Sequence, residues 1–387
     1  MRRDVERAYP TAETYRRVSP HLAEYGITRV SRHTGLDFLN IPVWCAYIPN
    51  AKSIVVAHGK GLTDDDARTS AVMEALERAV ACDPLVGVVT ASRTALKRDG
   101  RRYDLLPEFL ASRQDVGAWE DEIVLVEATD LFSGETVLVP YDAVSLDRTV
   151  PDIRYWKSSD GLASGNTEEE AVFHALLERI ERDAMALWQL RSEPRQVASA
   201  VSPEAFENSC VTELARQVER AGMLLRLFDV TSDIGIPTIA AYIAEASVLE
   251  AMAPRYVDVT FGCGTHVDAA KAALRAITEA AQSRLTYISG ARDDVYPETY
   301  LRPLPEDIKR LVAIRPGALS PKRNASQSKS IVQLLERRGL SRLYSIRLSE
   351  PGLPFVVVKI LAPELENPPG DRKFRHGARA IAAALSP

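Results

Sequence analysis

Apolar and polar positions change period repeatedly along this chain, and each change marks an expected element. Over Thr11–Tyr25 (TAETYRRVSPHLAEY) the spacing is helical, and Gly26 follows where a helix C-cap belongs. Pro42–Pro49 and Ser53–Ala57 (SIVVA) read as extended, the second with the composition of a buried strand. Extended character recurs at Ile153–Lys157 and Tyr256–Phe261. All three of the later runs precede a glycine-containing stretch: His58–Gly61, Asp160–Asn166 and Phe261–Gly264. A long helix is expected after each. Further strands are expected at Ile123–Val126, Thr136–Pro140, Thr238–Ile243, Leu343–Leu348 and Pro354–Ile360. Pro303–Arg323, rich in proline and basic residues, reads as a surface connection, and a basic helix is expected from Arg375. Interleaved strands and helices of this kind predict a mixed α/β (α+β) fold.

The three expected helices share a spacing. Ala67, Ala71, Glu74 and Glu77 are separated by four, three and three residues, and so are Ala171, Ala175, Glu178 and Glu181. Ala272, Ala276, Glu279 and Gln282 form the third copy. These intervals place each set on one helical stripe, two small residues followed by two acidic or amide groups. Any single E-x-x-E in an alanine-rich helix is ordinary composition, but three copies of the stripe at one spacing, two ending in E-x-x-E and one in E-x-x-Q, make that reading much weaker. Carboxylates gathered from three helices require metal ions or bound protons. Hard oxygen donors favour magnesium over zinc, and magnesium commonly completes its shell with substrate phosphates.

Glycine permits close approach of backbone N–H groups to a phosphate, although no Walker A sequence is present and each stretch alone reads as a turn. Thr63 and Thr167, each with an acid three residues on, read as helix caps. Glu170, His174, Glu178 and Glu181 make one polar stripe entered at Asn166. His174 reads as a structural histidine, and Arg78, Arg182 and Arg284 as partners of nearby acids or of phosphate.

Composition narrows the function. Forty-eight basic against 53 acidic side chains, net −5, provide no field for holding nucleic acid. No apolar run suggests a signal peptide or membrane span, so the cytoplasm is the expected compartment. Cys45, Cys82, Cys210 and Cys263 never form C-x-x-C, which argues for buried thiols rather than a zinc knuckle or disulfides.

Ser159 to Ala184 resembles the signature region of the YcaO family. Gly59 to Arg78 resembles its upstream motif and Ala276 to Arg284 its downstream one, the likeness extending over roughly residues 5–365. The resemblance implies one composite YcaO-type domain over 1–387, with mixed sheets flanked by helices and three glycine-loop/acidic-helix repeats converging on an ATP site. Its signature region spans about 59–294, and its C-terminal strands and tail 340–387. The resemblance also implies that Glu74, Glu77, Glu178, Glu181 and Glu279 hold Mg2+, with Glu74, Glu178, Glu181 and Glu279 catalytic. Arg7, Thr14, Ser70, Glu77, Asn166, Glu170, Arg182 and Gln282 fall on ATP-contacting positions.

The implied reaction is addition of a nucleophile to a peptide carbonyl, phosphorylation of the oxyanion by ATP, and departure of phosphate. A neighbouring Cys, Ser or Thr as nucleophile gives an azoline; sulfide gives a thioamide. The terminal sequence HGARAIAAALSP lacks the proline-rich P-x-P-x-P tail of azoline-forming members and looks more like members that work with a TfuA-type partner to make thioamides. With no leader-peptide module evident in 387 residues, a separate leader-peptide-binding protein is expected, and homodimerisation is a statistical expectation. An azoline-forming cyclodehydratase, a non-catalytic ATP-binding accessory protein and an unrelated metal-dependent hydrolase remain the alternatives.

Overall fold

The computed structural model describes residues 7–111, 121–151, 154–315, 331–367 and 376–385. Three antiparallel sheets organise it. The first runs β1 (Arg29–Arg32), β2 (Val43–Tyr47), β3 (Val56–Lys60). β4 (Val88–Ala91), β5 (Ile123–Asp130), β6 (Thr136–Pro140) and β7 (Leu162–Gly165) belong to a second, six-stranded sheet. β8 (Ala200–Val201), β9 (Met223–Asp229), β10 (Thr238–Glu245) and β11 (Val259–Thr265) make the third. β12 (Tyr344–Arg347) and β13 (Val356–Leu361) then return to the second sheet, between β5 and β7.

Seven helices matter to the layout: α1 (Thr11–Val18), α2 (Asp64–Cys82), α3 (Arg93–Arg98), α4 (Glu168–Gln189), α5 (Glu193–Ala198), α6 (Ser209–Arg220) and α7 (Ala269–Ser289). α2, α4 and α7 carry the repeated stripe, and each follows a strand at the edge of a different sheet: β3, β7 and β11. Each packs on its own strand and also on the strand of another unit, α2 on β7, α4 on β11 and α7 on β3. The contacts close a ring, so three sequence-distant units share one centre.

The glycines explain how each helix sits so close to its strand. Gly59, Gly165, Gly262 and Gly264 lie within β3, β7 and β11, not in loops as expected, whereas Gly61 and Gly161 fall outside the strands. A Cβ on Gly59 would stand 2.0 Å from the Ala71 nitrogen, and one on Gly264 2.3 Å from the Ala272 oxygen. Glycine on the strand and alanine on the helix are therefore the two halves of one close contact.

Thr63 and Thr167 cap α2 and α4 as expected, accepting from the Asp66 and Glu170 amides at 3.1 and 3.2 Å, and Asp268 caps α7. The first helix is shorter than its periodicity suggests: α1 stops at Val18 and a 3-10 turn spans Ser19–His21, where Pro20 removes a backbone donor. Gly26 takes the expected left-handed conformation, φ 71°.

Ile153 lies outside the described residues, and the strand entering α4 is Leu162–Gly165 itself. Pro303–Arg323 is not simply a surface connection, because Glu306–Ala313 is helical and buries Leu311 and Val312; its residues from 316 on lie outside the described set. The closing helix is Ala378–Leu385, and Arg375 lies outside the described residues. Among the described residues, no helix is long and apolar enough to cross a membrane. Cys45, Cys82 and Cys263 are buried, while Cys210 is exposed, contrary to expectation.

Candidate active site

A cavity of about 410 Å³ occupies the centre of the ring. All twelve side chains singled out from sequence line it. α2 contributes Ser70, Glu74 and Glu77; α4 contributes Glu170, Glu178, Glu181 and Arg182; α7 contributes Glu279 and Gln282. Thr14 comes from α1, Asn166 from the turn before α4, and Arg7 from the segment before α1.

Burial and neighbouring carboxylates raise the proton affinity of Glu77 and Glu181. Burial, then the charges of Glu74 and Glu178, push Glu77 well above the usual carboxylate range. Burial also raises Glu178, and burial with Glu279 beside it pushes Glu181 up to about 7. Glu279 moves the other way: burial opposes its ionisation, but the charges of Lys60 and Arg182 outweigh that and lower it. These couplings run between helices, so the negative charge is shared across the cavity. Among the described residues, no three of these carboxylates lie within 4.8 Å of one another. The acids frame the cavity instead of forming a closed shell around one point.

Cations are interleaved with them. Arg78 Nε donates to Glu74 at 3.0 Å and Arg182 to Glu178 at 3.2 Å, each one helical turn apart. Glu178 also accepts from the Gly161 amide at 3.1 Å, and Glu77 from Ser164 at 3.3 Å. Together the wall carries seven carboxylates and six basic side chains, so it is nearly neutral and accommodates a triphosphate only alongside added cations.

At one end, Asn166 links three segments. Its Oδ1 accepts from the Thr14 hydroxyl at 3.0 Å, and its Nδ2 donates to both Glu170 oxygens at 3.0 and 3.1 Å. Glu170 also accepts from the Ala8 amide at 3.0 Å, and Arg7 pairs with Asp66 at 3.3 Å. The segment preceding α1 is thus fastened to the start of α4.

Several lining residues went unnoticed in the sequence. Lys60, on β3, forms an ion pair with Glu279 of α7. Arg275 stands one helical turn before Glu279, a spacing that signals it in retrospect, and Arg292 lines the same wall. His174, expected to be structural, also faces the cavity, with Phe173 against its ring. Arg284 serves elsewhere: its Nε donates to buried Asp37 at 2.9 Å, and it does not line the cavity.

The residues fit a magnesium-bound triphosphate. Nε of Arg275 is buried without a hydrogen-bond partner among the described residues, an unsatisfied cationic donor of the kind a phosphate oxygen satisfies. The carboxylates are the hard oxygen donors that magnesium takes, and their separation leaves room for substrate oxygens in its shell.

Residues 58–366 match the family model described as YcaO cyclodehydratase, ATP- and Mg2+-binding. The chain is 37% identical, over 97% of its length and 92% of the relative's, to an uncharacterised protein in the tfuA 3′ region of Rhizobium leguminosarum bv. trifolii. The structure of YcaO from Methanopyrus kandleri bound with AMPPCP and Mg2+ is similar at TM-score 0.71 and 22% identity, over 94% of this chain and 93% of that one. A heterocyclase in complex with substrate and cofactor is similar at TM-score 0.75 and 20% identity, over 93% of this chain, which spans 53% of that longer one. ATP and Mg2+ are the cofactors of the matched family. The family match across most of the sequence, joined to that near-full-length relative, establishes that this chain belongs to the YcaO family.

Proposed function

We propose that this protein uses ATP and Mg2+ to activate a peptide backbone amide, and that the product is a thioamide formed with a TfuA-type partner and a sulfide source. The observation that carries the ATP-dependent part is the gathering of acids from α2, α4 and α7 around one cavity.

In this reading Glu74, Glu77, Glu178, Glu181 and Glu279 hold the magnesium ions. Arg182, Arg275 and Lys60 balance phosphate charge at the cavity wall. Ser70 and Gln282 add neutral hydrogen-bonding groups, Arg7 approaches from the N-terminal segment, and Thr14, Asn166 and Glu170 orient the nucleoside end. When bound, Mg-ATP supplies the phosphoryl group that turns an amide oxygen into a leaving group. The acids contribute by being pre-positioned: their mutual repulsion is relieved when cations enter, which favours the cation-bound state over the free one.

The thioamide assignment is supported by the relative from the tfuA 3′ region. We place the reaction in the cytoplasm, where ATP and magnesium are available, with a separate protein recruiting the peptide. The likeness to a heterocyclase favours a second reading, azoline formation on Cys, Ser or Thr. Mass spectrometry of a candidate peptide incubated with the protein, its partner, ATP and sulfide separates the two. Exchange of oxygen for sulfur supports thioamidation, loss of water supports azoline formation, and an unmodified peptide with no ATP consumed counts against both.

A further inference from the structure

On the first sheet, residues that pair in register put their side chains on the same face. Cys45 of β2 is directly opposite Ser31 of β1 and His58 of β3. His33, two residues after Ser31, continues the ladder through its amide to Val43. His33, Cys45 and His58 therefore share one face, and Lys60, two residues after His58, points the same way and reaches Glu279 of α7. Gly59, of opposite parity, faces α2.

The three side chains are buried: His33 is 7% exposed, Cys45 0% and His58 3%. A ligand atom from each lies within 4.8 Å of the other two, and Nδ1 of His33 is 3.2 Å from Sγ of Cys45. Nε2 of His33 is 2.8 Å from the Tyr47 hydroxyl, an outer contact that fixes the ring with Nδ1 turned to the sulfur. Two polar atoms on this face lack partners among the described residues, Nε2 of His58 and Oγ of Ser31. An unpaired imidazole nitrogen in the interior is costly.

We infer that His33, Cys45 and His58 form a binding site for a thiophilic transition-metal ion of the zinc class, with a donor set unlike the carboxylates that take magnesium and adjoining the same cavity, which His58 also lines. Two imidazoles and a thiolate are the donor set such an ion prefers and magnesium does not. Tetrahedral zinc sets N and S ligands roughly 3.3–3.6 Å apart. The His33–Cys45 separation is already close to this value, and imidazole rotation of His58 closes the rest. Binding replaces the Cys45 thiol proton, which is released to solvent, and gives the orphaned His58 nitrogen a partner. Tyr47 supports His33 from outside, and Ser31 is placed to hold a water as a further ligand.

The test uses the full chain, purified without chelator and then dialysed against cobalt(II). Expected, with magnesium in excess to occupy the carboxylates, are one equivalent of bound cobalt and the near-ultraviolet charge-transfer band of a cobalt–thiolate bond. Cys45→Ser abolishes the band and His33→Gln weakens metal retention at least tenfold, while Cys210→Ser, at the exposed thiol, changes neither. Circular dichroism confirms that each variant is folded. If Cys45→Ser does not fold, thermal unfolding of the wild-type chain with and without zinc decides, with stabilisation expected. A cobalt spectrum without a thiolate band, a band that survives Cys45→Ser, or no zinc-dependent shift in unfolding would overturn the assignment. None of these readouts depends on peptide modification, so the inference stands or falls apart from the proposed activity.

Discussion

A β-carbon placed on Gly59 would lie 2.0 Å from the backbone nitrogen of Ala71, so β3 and α2 touch through their main chains. No side-chain rearrangement relieves such a clash. Gly59→Ala is expected to destabilise the fold by about 3 kcal/mol or more, whereas Gly87→Ala, with open space around it, stays within about 0.5 kcal/mol of wild type. Denaturant unfolding of the two variants checks this.

Lys60 and Glu279 join the first unit of the ring to the third. Replacing Lys60 with Met removes the main charge that offsets the burial of Glu279 and raises that carboxyl's affinity for a proton. Ionised Glu279 is then reached only at higher pH. The expected result is a roughly ten- to hundredfold lower ATP turnover at neutral pH, with the acid limb of the pH profile moved upward. An unchanged profile would remove Glu279 from the cation site.

Lys359 is 2% exposed, and burial lowers its ammonium from the ordinary 10.5 to about 8. The sign follows from proton counting. Between about pH 8 and 10.5 the unfolded chain binds the proton and the folded one does not, so this lysine destabilises fully below pH 8 and progressively less above it. Relative to Lys359→Met, the wild-type protein should therefore gain about 3 kcal/mol as pH rises through that window. Chemical unfolding of both proteins at several pH values measures it, and a constant difference would contradict it.

The acidic stripes were legible in the sequence because a 4-3-3 spacing is a local property of a helix. The caps at Thr63 and Thr167 were legible for the same reason. The strand glycines were misread as loops because what constrains them is a packing contact and not a local spacing: Gly59 meets Ala71 only once β3 and α2 fold back on each other. Ring closure depends on contacts between different sheets, and the Lys60–Glu279 pair spans 219 residues. Arg284 shows the converse, since its place beside Gln282 suggested a nearby acid or phosphate and its partner is Asp37, 247 residues away in sequence. His33, Cys45 and His58 formed no recognisable motif, because cross-strand register rather than sequence spacing puts them side by side.

In the proposed mechanism, acids from three helices share divalent cations with one triphosphate. Its most direct test is Mg2+-dependent ATP turnover, in the presence of the peptide substrate, by wild-type protein and Glu178→Gln. The neutral side chain removes a buried charge while keeping the size of the original. A folded variant whose turnover falls by about two orders of magnitude or more is expected. A folded variant that hydrolyses ATP at the wild-type rate would contradict it.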